Sequence, residues 1–140
     1  MSEQPFSISA RDLRKSYHLG DEAIPALAGV TLEVAAGEVV AVMGPSGGGK
    51  NPLLHMLGLL DQPDSGAVEV AGRKTAGLSD DELTAMRRDH LGFIFQSFEL
   101  IPSLSARENI LLPAEVAGRL AEARAKLPGL TALLGIEDRL

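Results

Sequence analysis

Short apolar runs alternate with amphipathic and polar segments along this chain, a pattern typical of an α/β protein. Val39–Met43 and Leu91–Phe95 are continuous apolar runs, and each predicts a strand buried on both faces, as in a parallel sheet. Phe6–Ser9 and Val30–Val34 instead alternate apolar and polar residues, which predicts two half-buried antiparallel strands. Val68–Val70 repeats the alternation and predicts a further short strand.

Helix signals of two kinds occur between and after these strands. Leu53–Leu60 is apolar almost all round, which predicts a buried helix. The sequences Ser-Asp-Asp-Glu at 79–82 and Ser-Ala-Arg-Glu at 105–108 fit the capping box, in which each of the two side chains accepts a hydrogen bond from the other residue's backbone N–H. They predict helices that run to about His90 and about Leu112.

Glycine and proline mark the predicted turns. A loop containing Gly20, Asp21 and Pro25 separates the first two strands, and residues 35–38 and 61–66 predict two further turns.

Proline also divides the last part of the chain. Pro113 is expected to restart or kink the helix that precedes it. Arg119–Lys126 predicts another helix, with an i,i+4 Glu–Lys pair inside it. Pro128–Gly129 is expected to interrupt that helix, and Gly135 to cap it after it resumes.

Composition narrows the classes of function. The 140 residues suffice for one domain with a real core, and the net charge of −6 argues against a general nucleic-acid binder. The absence of cysteine excludes disulfides, thiol catalysis and thiolate metal sites, and is compatible with a cytosolic protein. No apolar run approaches the ~18 residues of a membrane span, and Met1–Pro5 lacks the features of a signal peptide. A membrane role would therefore come through a partner.

A glycine-rich loop follows the strand predicted at Val39–Met43. Its pattern, Gly-x-x-x-x-Gly-Lys, is the phosphate-loop template. Glycines let the backbone approach a ligand closely, successive N–H groups form an anion-binding nest, and the following helix adds the positive end of its dipole. The alternative is a glycine-rich turn that binds nothing. The candidate phosphate-binding residues are Gly44, Pro45, Ser46, Gly47, Gly48, Gly49, Lys50, Asn51 and Pro52.

The two residues after the loop lysine depart from the template. A Ser or Thr usually stands at position 51 and lends its hydroxyl oxygen to Mg²⁺, whereas Asn51 offers an amide oxygen on a bulkier side chain. Pro52 has no N–H, so one donor aimed at the phosphates is missing, although proline is tolerated in the first turn of a helix. We expect the loop to keep its shape while the affinity for Mg-nucleotide falls.

Two residues outside the loop have alternative roles. Tyr17, the only tyrosine, is either an aromatic cap on a small core, which its spacing favours, or a flat ring that stacks on a nucleobase. Gln96 follows the strand predicted at Leu91–Phe95, where parallel α/β sheets place ligand contacts, or it is an exposed loop amide.

Five stretches occur in a specific order along the chain: Leu13–Tyr17, Gly44–Lys50, Met56–Asp61, Gly92–Phe98 and Leu104–Ile110. Together they resemble the ATP-binding subunit of an ABC transporter, and most of all its lipoprotein-release and macrolide-export branch. The resemblance runs from about Ser7 to Leu140.

This resemblance implies an α/β fold of the P-loop NTPase class. The fold would be an ABC-type nucleotide-binding domain with an N-terminal antiparallel β subdomain, truncated at its C-terminal end. One partial domain would occupy residues 1–140, with the β subdomain and phosphate-loop core in about 1–97 and the start of a helical subdomain in about 98–140. Several central strands would be missing, which would leave the Val39–Met43 strand with unpaired edges and uncovered faces.

The resemblance also assigns expected roles to single residues. Tyr17 matches the aromatic residue that stacks on adenine. The resemblance therefore favours the stacking role over the core cap that its spacing favoured. Lys50 matches the lysine that holds the β- and γ-phosphates. Gln96 matches the glutamine that contacts Mg²⁺ and the attacking water, so it is the expected catalytic residue. Asn51 and Gln96 are the expected ligands of Mg²⁺.

By this resemblance the chain is an ATP-binding subunit that couples ATP binding and hydrolysis to transport by a membrane permease, with ATP and Mg²⁺ as cofactors. ATP would lie between two copies in a homodimer. The subunit would be cytoplasmic and peripheral to the inner membrane through the permease, with no direct membrane insertion and no nucleic-acid partner.

The chain lacks the family's Leu-Ser-Gly-Gly-Gln signature, the acidic strand that holds Mg²⁺, the base glutamate and the switch histidine. We therefore expect this polypeptide alone not to be catalytically competent, because phosphoryl transfer needs a held metal and an oriented water. The alternative is a truncated, non-catalytic remnant that binds nucleotide weakly or not at all. A small nucleotide kinase or GTPase is disfavoured, since the loop follows two strands and the Gln96 region matches the transporter pattern.

Overall fold

The structure, a computed structural model, describes residues 6–140, and the expectation for Met1–Pro5 lies outside that range. Contacts divide the chain into two units between Gly92 and Phe93. Among the described residues, the first unit carries a sheet and two helices, and the second carries two helices and a 3₁₀ turn. The elements are β1 (Phe6–Leu19), β2 (Glu22–Ala35), α1 (Lys50–Leu57), β3 (Ser65–Val70), β4 (Arg73–Lys74), α2 (Asp80–His90), α3 (Ala106–Val116), α4 (Leu120–Leu134) and the 3₁₀ turn Glu137–Arg139.

The sheet is antiparallel and is built around β1. β1 pairs with β2 on one side and with β3 on the other, and β4 extends the sheet from β3, so the order is β2-β1-β3-β4. The antiparallel strands predicted at Phe6–Ser9 and Val30–Val34 and the short strand predicted at Val68–Val70 are confirmed. The first two strands are longer than their alternation indicated, because register shifts such as the one between Ala10 and Leu13 let the pairing continue where the alternation breaks.

The connection between β1 and β2 is a tight turn. Only Gly20 and Asp21 lie between the strands, and Gly20 has the positive φ of 63° that such a turn requires. The longer loop predicted around Pro25 is wrong, because Pro25 lies inside β2 and pairs with Ser16. β2 is an edge strand, where a residue without an N–H can be accommodated.

The core of the first unit lies between the sheet, α1 and α2. α1 buries Leu53, Met56 and Leu57 but leaves Leu54 exposed, so it is covered on one face rather than all round. The predicted helix is also too long, since α1 ends at Leu57 and the following Gly58 caps it. The buried apolar side chains of this core are Ala10, Leu13, Leu27, Leu53, Met56, Leu57, Leu59, Val68, Val70, Leu83 and Met86.

The strand predicted at Val39–Met43 is wrong. Among the described residues this segment pairs with no strand, and the side chains of Val39 and Met43 are 95% and 87% exposed. An apolar segment becomes a buried strand only when neighbouring strands supply hydrogen bonds and cover its faces. The expectation of uncovered apolar faces is therefore met, although the segment itself is irregular.

The strand predicted at Leu91–Phe95 is wrong for the same reason. The segment has no strand pairing in the described part of the chain, and Ile94 is fully exposed. Phe93 and Phe95 instead stack on each other, with ring centroids 5.6 Å apart and planes inclined by 5°. By stacking, each ring covers part of the apolar surface of the other.

Both capping boxes are confirmed. The Ser79 hydroxyl accepts a hydrogen bond from the Glu82 N–H, and the Glu82 carboxylate accepts one from the Ser79 N–H, at the start of α2. Ser105 and Glu108 repeat the arrangement at the start of α3.

Two prolines of the second unit, Pro113 and Pro128, lie inside helices. α3 continues through Pro113 to Val116, and α4 continues through Pro128, so the interruption predicted at Pro128–Gly129 is wrong. Buried side chains on both sides of Pro128, Leu127 and Thr131, hold α4 together, and the Thr131 hydroxyl donates to the Leu127 and Pro128 carbonyls. The predicted cap is confirmed, since Gly135 ends α4 with φ 65°.

Candidate phosphate-binding site

The glycine-rich loop Gly44–Lys50, called the phosphate loop from here on, leads directly into α1. Gly49 is the residue before the first helical residue, with φ 80°, and no side chain within residues 6–140 caps the helix. The first N–H groups of a helix have no partner within the helix, and the positive end of its dipole lies there. An uncapped start that follows a glycine-rich turn is therefore suited to an anion.

Close packing against β2 fixes the position of the phosphate loop. A Cβ atom added to Gly49 would lie 2.5 Å from the Ala26 carbonyl oxygen and 3.4 Å from Leu27 Cδ2. Only glycine fits this contact, and the positive φ at position 49 also favours glycine, because it has no Cβ. By contrast, a Cβ on Gly47 would meet no atom of the described residues within 4 Å, so that side of the loop is open to them.

The Lys50 side chain folds back over the phosphate loop. Its Nζ donates to the carbonyl oxygens of Gly44 at 2.8 Å and Pro45 at 2.6 Å. An ammonium has three donors, so these contacts leave one for a ligand. The positive charge of Lys50 therefore already lies beside the first residues of the loop.

A cleft of about 370 Å³ lies between β2 and the phosphate loop. We call it the loop cleft. Its walls are Ile24, Pro25 and Ala26 from β2 and residues 46–52 from the loop and the start of α1. The β2 wall was not identified from the sequence, because nothing local in Ile24–Ala26 signals that a distant loop packs on it.

Asn51 and Pro52 lie in the first turn of α1. Asn51 is exposed, and the first helical hydrogen bond, from the Leu53 N–H to the Gly49 carbonyl at 3.0 Å, is present. Proline is therefore accommodated without damage to the helix, as expected. It nevertheless leaves Lys50 and Asn51 as the N–H donors of the first turn.

Tyr17 lies in β1, directly opposite Ile24 of β2. Directly opposed residues of antiparallel strands project from the same face, so the tyrosine neighbours a wall of the loop cleft. Its side chain is 41% exposed and is not part of the buried core. Its hydroxyl donates to Asp61 Oδ2 at 3.1 Å, and Lys15 Nζ lies 5.5 Å from the ring centroid.

Charged partners shift the pKa values of Asp61 and Lys15, the two residues that contact Tyr17. Burial opposes ionisation of Asp61, but the hydrogen bond from Lys15 and those from the Gln62 N–H and Tyr17 outweigh it, so the pKa of Asp61 is lowered. Burial also opposes the charge on Lys15, but the hydrogen bond to Asp61 and the Asp61 and Asp64 charges raise its pKa overall. Both groups are therefore charged over the physiological range. Sequence reasoning missed their role, because 46 residues separate Lys15 from Asp61.

Gln96 belongs to the second unit, where it is exposed in an irregular segment. Tyr17, the phosphate loop, Asn51 and Pro52 all belong to the first unit. The participation of Gln96 in the same site stays a prediction. Within residues 6–140, no three His, Cys, Asp or Glu side chains form a cluster that could hold a metal ion.

The profile of the family described as "ABC transporter" matches residues 27–139, which include the phosphate loop. The chain belongs to the ABC transporter family. This membership confirms the resemblance and sets aside the kinase and GTPase alternative. The P-loop fold class with an antiparallel N-terminal sheet is confirmed as well.

Relatives in the ABC transporter family are similar along almost the whole chain. A macrolide export ATP-binding/permease protein, MacB, from Rhodopseudomonas palustris is 49% identical over 134 residues, which are 95% of this chain and 20% of that protein. A lipoprotein-releasing system ATP-binding protein, LolD, from Novosphingobium aromaticivorans is 46% identical over 95% of this chain and 60% of that protein. The chain thus spans between a fifth and three fifths of these relatives.

A solved structure gives the same fold. The dimeric ATP-binding cassette MJ0796 in a post-hydrolysis state, bound to ADP and Pi, aligns with a TM-score of 0.77 and 42% identity. The alignment covers 86% of this ABC-family chain and 56% of the cassette. None of the helices within residues 6–140 combines the length and apolar composition needed to cross a bilayer.

Proposed function

We propose that this chain is the nucleotide-binding part of an ABC transporter ATP-binding subunit, and that its phosphate loop holds the phosphates of ATP. The observation that carries the proposal is the lysine-bearing glycine loop at the uncapped start of α1, in a chain of this family. The ADP and Pi of the MJ0796 cassette are ligands of the same chemistry.

The proposed contacts follow from the chemistry of each residue. Backbone N–H groups of Gly44 and of residues 46–50 surround the phosphates, and the Lys50 ammonium exchanges a loop carbonyl for a phosphate oxygen. The Tyr17 ring stacks on adenine. Amide oxygens of Asn51 and Gln96 are the ligands that this chain offers to Mg²⁺, which would neutralise phosphate charge.

We further propose that this polypeptide binds nucleotide weakly and does not turn it over. Asn51 replaces the hydroxyl that usually ligates Mg²⁺, and Pro52 removes one phosphate donor. Hydrolysis also needs groups that hold the metal and orient the water. Asn51 and Gln96 offer only neutral amide oxygens to the metal, and Gln96 is the candidate that orients the water. A remnant that binds no nucleotide is the alternative, and the same two residues favour it.

The partners are proposed from the relatives. A membrane permease would receive the effect of nucleotide binding, since MacB carries an ATP-binding and a permease part in one protein. A second copy would close the nucleotide site, as the dimeric MJ0796 cassette suggests. The subunit would then act at the cytoplasmic face of the inner membrane, through the permease. We propose residues 98–140 as the start of the helical subdomain that faces it.

Calorimetric titration with ATP tests the binding proposal. We expect the parent chain to bind, Lys50→Ala to lose at least about tenfold in affinity because it removes a charge-assisted contact, and Lys74→Ala to bind like the parent. Lys74 is an exposed cation on β4, so its substitution controls for net charge. Equal affinities of parent and Lys50→Ala would refute the phosphate-loop assignment.

Phosphate release with Mg²⁺ and ATP tests the proposal that turnover is absent. We expect the parent chain to release phosphate no faster than the Lys50→Ala variant. Mg²⁺-dependent release clearly above that of Lys50→Ala would contradict it.

A further inference from the structure

We propose that Asp61 is a positioning residue for Tyr17: its carboxylate holds the tyrosine hydroxyl and so fixes the ring beside the loop cleft, ready to stack on a nucleobase. The proposal rests on the proposed function, in which the phosphate loop holds the phosphates of the same nucleotide. Asp61, Lys15 and Tyr17 are called the tyrosine clamp.

Contacts at two points hold the ring. The Tyr17 hydroxyl donates to Asp61 Oδ2 at 3.1 Å, at one end of the ring. Lys15 Nζ donates to Asp61 Oδ1 at 3.0 Å and to the Gln62 carbonyl at 2.6 Å, and it lies 5.5 Å from the ring centroid. The lysine thereby fixes the carboxylate and flanks the ring at the same time.

The clamp is tied to the phosphate loop through α1. α1 begins at Lys50 and ends at Leu57, and Asp61 follows shortly after it. A helix of this length is rigid and about 12 Å long. The lysine proposed to hold phosphate therefore begins this helix, and the carboxylate that holds the ring lies just beyond its other end. Tyr17 also pairs with Ile24, which lines the loop cleft.

Holding the ring in place favours stacking for an entropic reason. An exposed tyrosine samples several rotamers, and a base that stacks on it must select one of them. A ring whose hydroxyl is already bonded has lost that freedom before the ligand arrives, so less of the stacking free energy is lost on binding. The contribution is specific to the base, because the clamp has no contact with the phosphate loop among the hydrogen bonds of the described residues.

The titration of the tyrosine supports the contact. Burial and then the hydrogen bond to Asp61 raise the pKa of Tyr17, the Asp61 and Asp64 charges act in the same direction, and the Lys15 charge opposes them. Tyr17 is the only tyrosine and the chain has no tryptophan, so its ultraviolet absorbance reports this one group.

Comparison of two ligands tests the proposal. ATP carries a base and inorganic tripolyphosphate does not, so a base-specific effect weakens only ATP. We expect Asp61→Ala to weaken ATP about three- to tenfold, as for the loss of one hydrogen bond, and to change tripolyphosphate affinity less than about twofold. Asp64→Ala is the matched control: Asp64 accepts from the Ser16 N–H and lies 3.8 Å from Lys15 Nζ, but among the described residues it does not hydrogen-bond to the tyrosine and acts on it only through its charge.

A double-mutant cycle separates positioning from a merely structural role. Tyr17→Phe keeps the ring but removes the hydroxyl that Asp61 holds, so in that background Asp61→Ala is expected to have no further effect on ATP affinity. In the unliganded protein, Asp61→Ala is expected to lower the pKa of Tyr17, and Asp64→Ala to lower it less.

Each of the following results would overturn the proposal: equal weakening of ATP and tripolyphosphate by Asp61→Ala, an equal effect of Asp64→Ala, or an undiminished effect of Asp61→Ala in the Tyr17→Phe background. If the parent chain binds neither ligand, the proposed function fails, and the role of the clamp in base binding fails with it. If the parent binds both ligands and Asp61→Ala changes neither affinity, only the clamp proposal fails.

Discussion

Lys50 is the residue on which the proposed phosphate site depends most. Its ammonium already bridges the carbonyls of Gly44 and Pro45, so the loop is closed around a positive charge before any ligand is bound. This arrangement lowers the entropic cost of ligand binding. A loop without the lysine contacts would have to be ordered by the ligand itself. The same contacts give Lys50 a part in the shape of the loop.

The two residues after Lys50, Asn51 and Pro52, are expected to limit the affinity for nucleotide. Replacing both, Asn51→Ser with Pro52→Thr, restores a hydroxyl for Mg²⁺ and a backbone N–H for a phosphate, and we expect Mg-ATP affinity to rise about tenfold or more. Titration of ATP with and without Mg²⁺ separates the two effects. The gain from Asn51→Ser is expected only with Mg²⁺, and that from Pro52→Thr in both cases. No change in affinity for the double variant would show that neither residue limits binding.

Gly49 and Gly47 allow a matched test of how the phosphate loop packs. Both have a positive φ, 80° and 78°, but only Gly49 lies against the Ala26 carbonyl. Gly47→Ala is expected to cost about 1 kcal/mol for its backbone conformation alone, and Gly49→Ala roughly 2–3 kcal/mol, because it adds a steric clash. Urea unfolding of the two variants measures the difference. Equal destabilisation would mean that the loop does not rest on β2.

At the scale of single elements, two apolar segments lack the neighbours that their composition indicates. Val39–Met43 and Phe93–Phe95 have the composition of buried strands, yet both are irregular and largely exposed. Strand formation depends on residues far away in sequence, whereas a capping box or a helix C-cap depends on residues within one turn. This difference explains why the starts of α2 and α3 and the end of α4 were predicted correctly while these strands were not.

Because Val39 and Met43 are exposed, we expect substitutions there to change the stability of the protein little. Val39→Thr and Met43→Gln are each expected to change the free energy of unfolding by less than about 0.5 kcal/mol, as for surface positions. Leu53→Ala is the comparison, since Leu53 is buried in α1 and its truncation is expected to cost about 2–4 kcal/mol. A loss at Val39 as large as that at Leu53 would show that the segment packs as a buried strand.

At the scale of the whole molecule, the order of motifs carried more information than any single one. Glycines and a lysine identified the phosphate loop, and its position among the other motifs identified the family. The tyrosine clamp and the β2 wall of the loop cleft could not be predicted in this way, because they join residues that are distant in sequence and have no local pattern. The spacing of Tyr17 alone favoured a core position, yet its ring lies at the surface with its hydroxyl bonded to Asp61.

Mapping of amide chemical shifts during an ATP titration tests the central claim most directly. If the phosphate loop holds the phosphates, the largest changes are expected at the amides of Gly44 and of residues 46–51, with a smaller set at Tyr17 and its neighbours in β1. When the Lys50→Ala variant is titrated in the same way, we expect no chemical-shift changes at the loop amides. Changes that leave the loop amides unmoved, or that are the same in Lys50→Ala, would contradict the account.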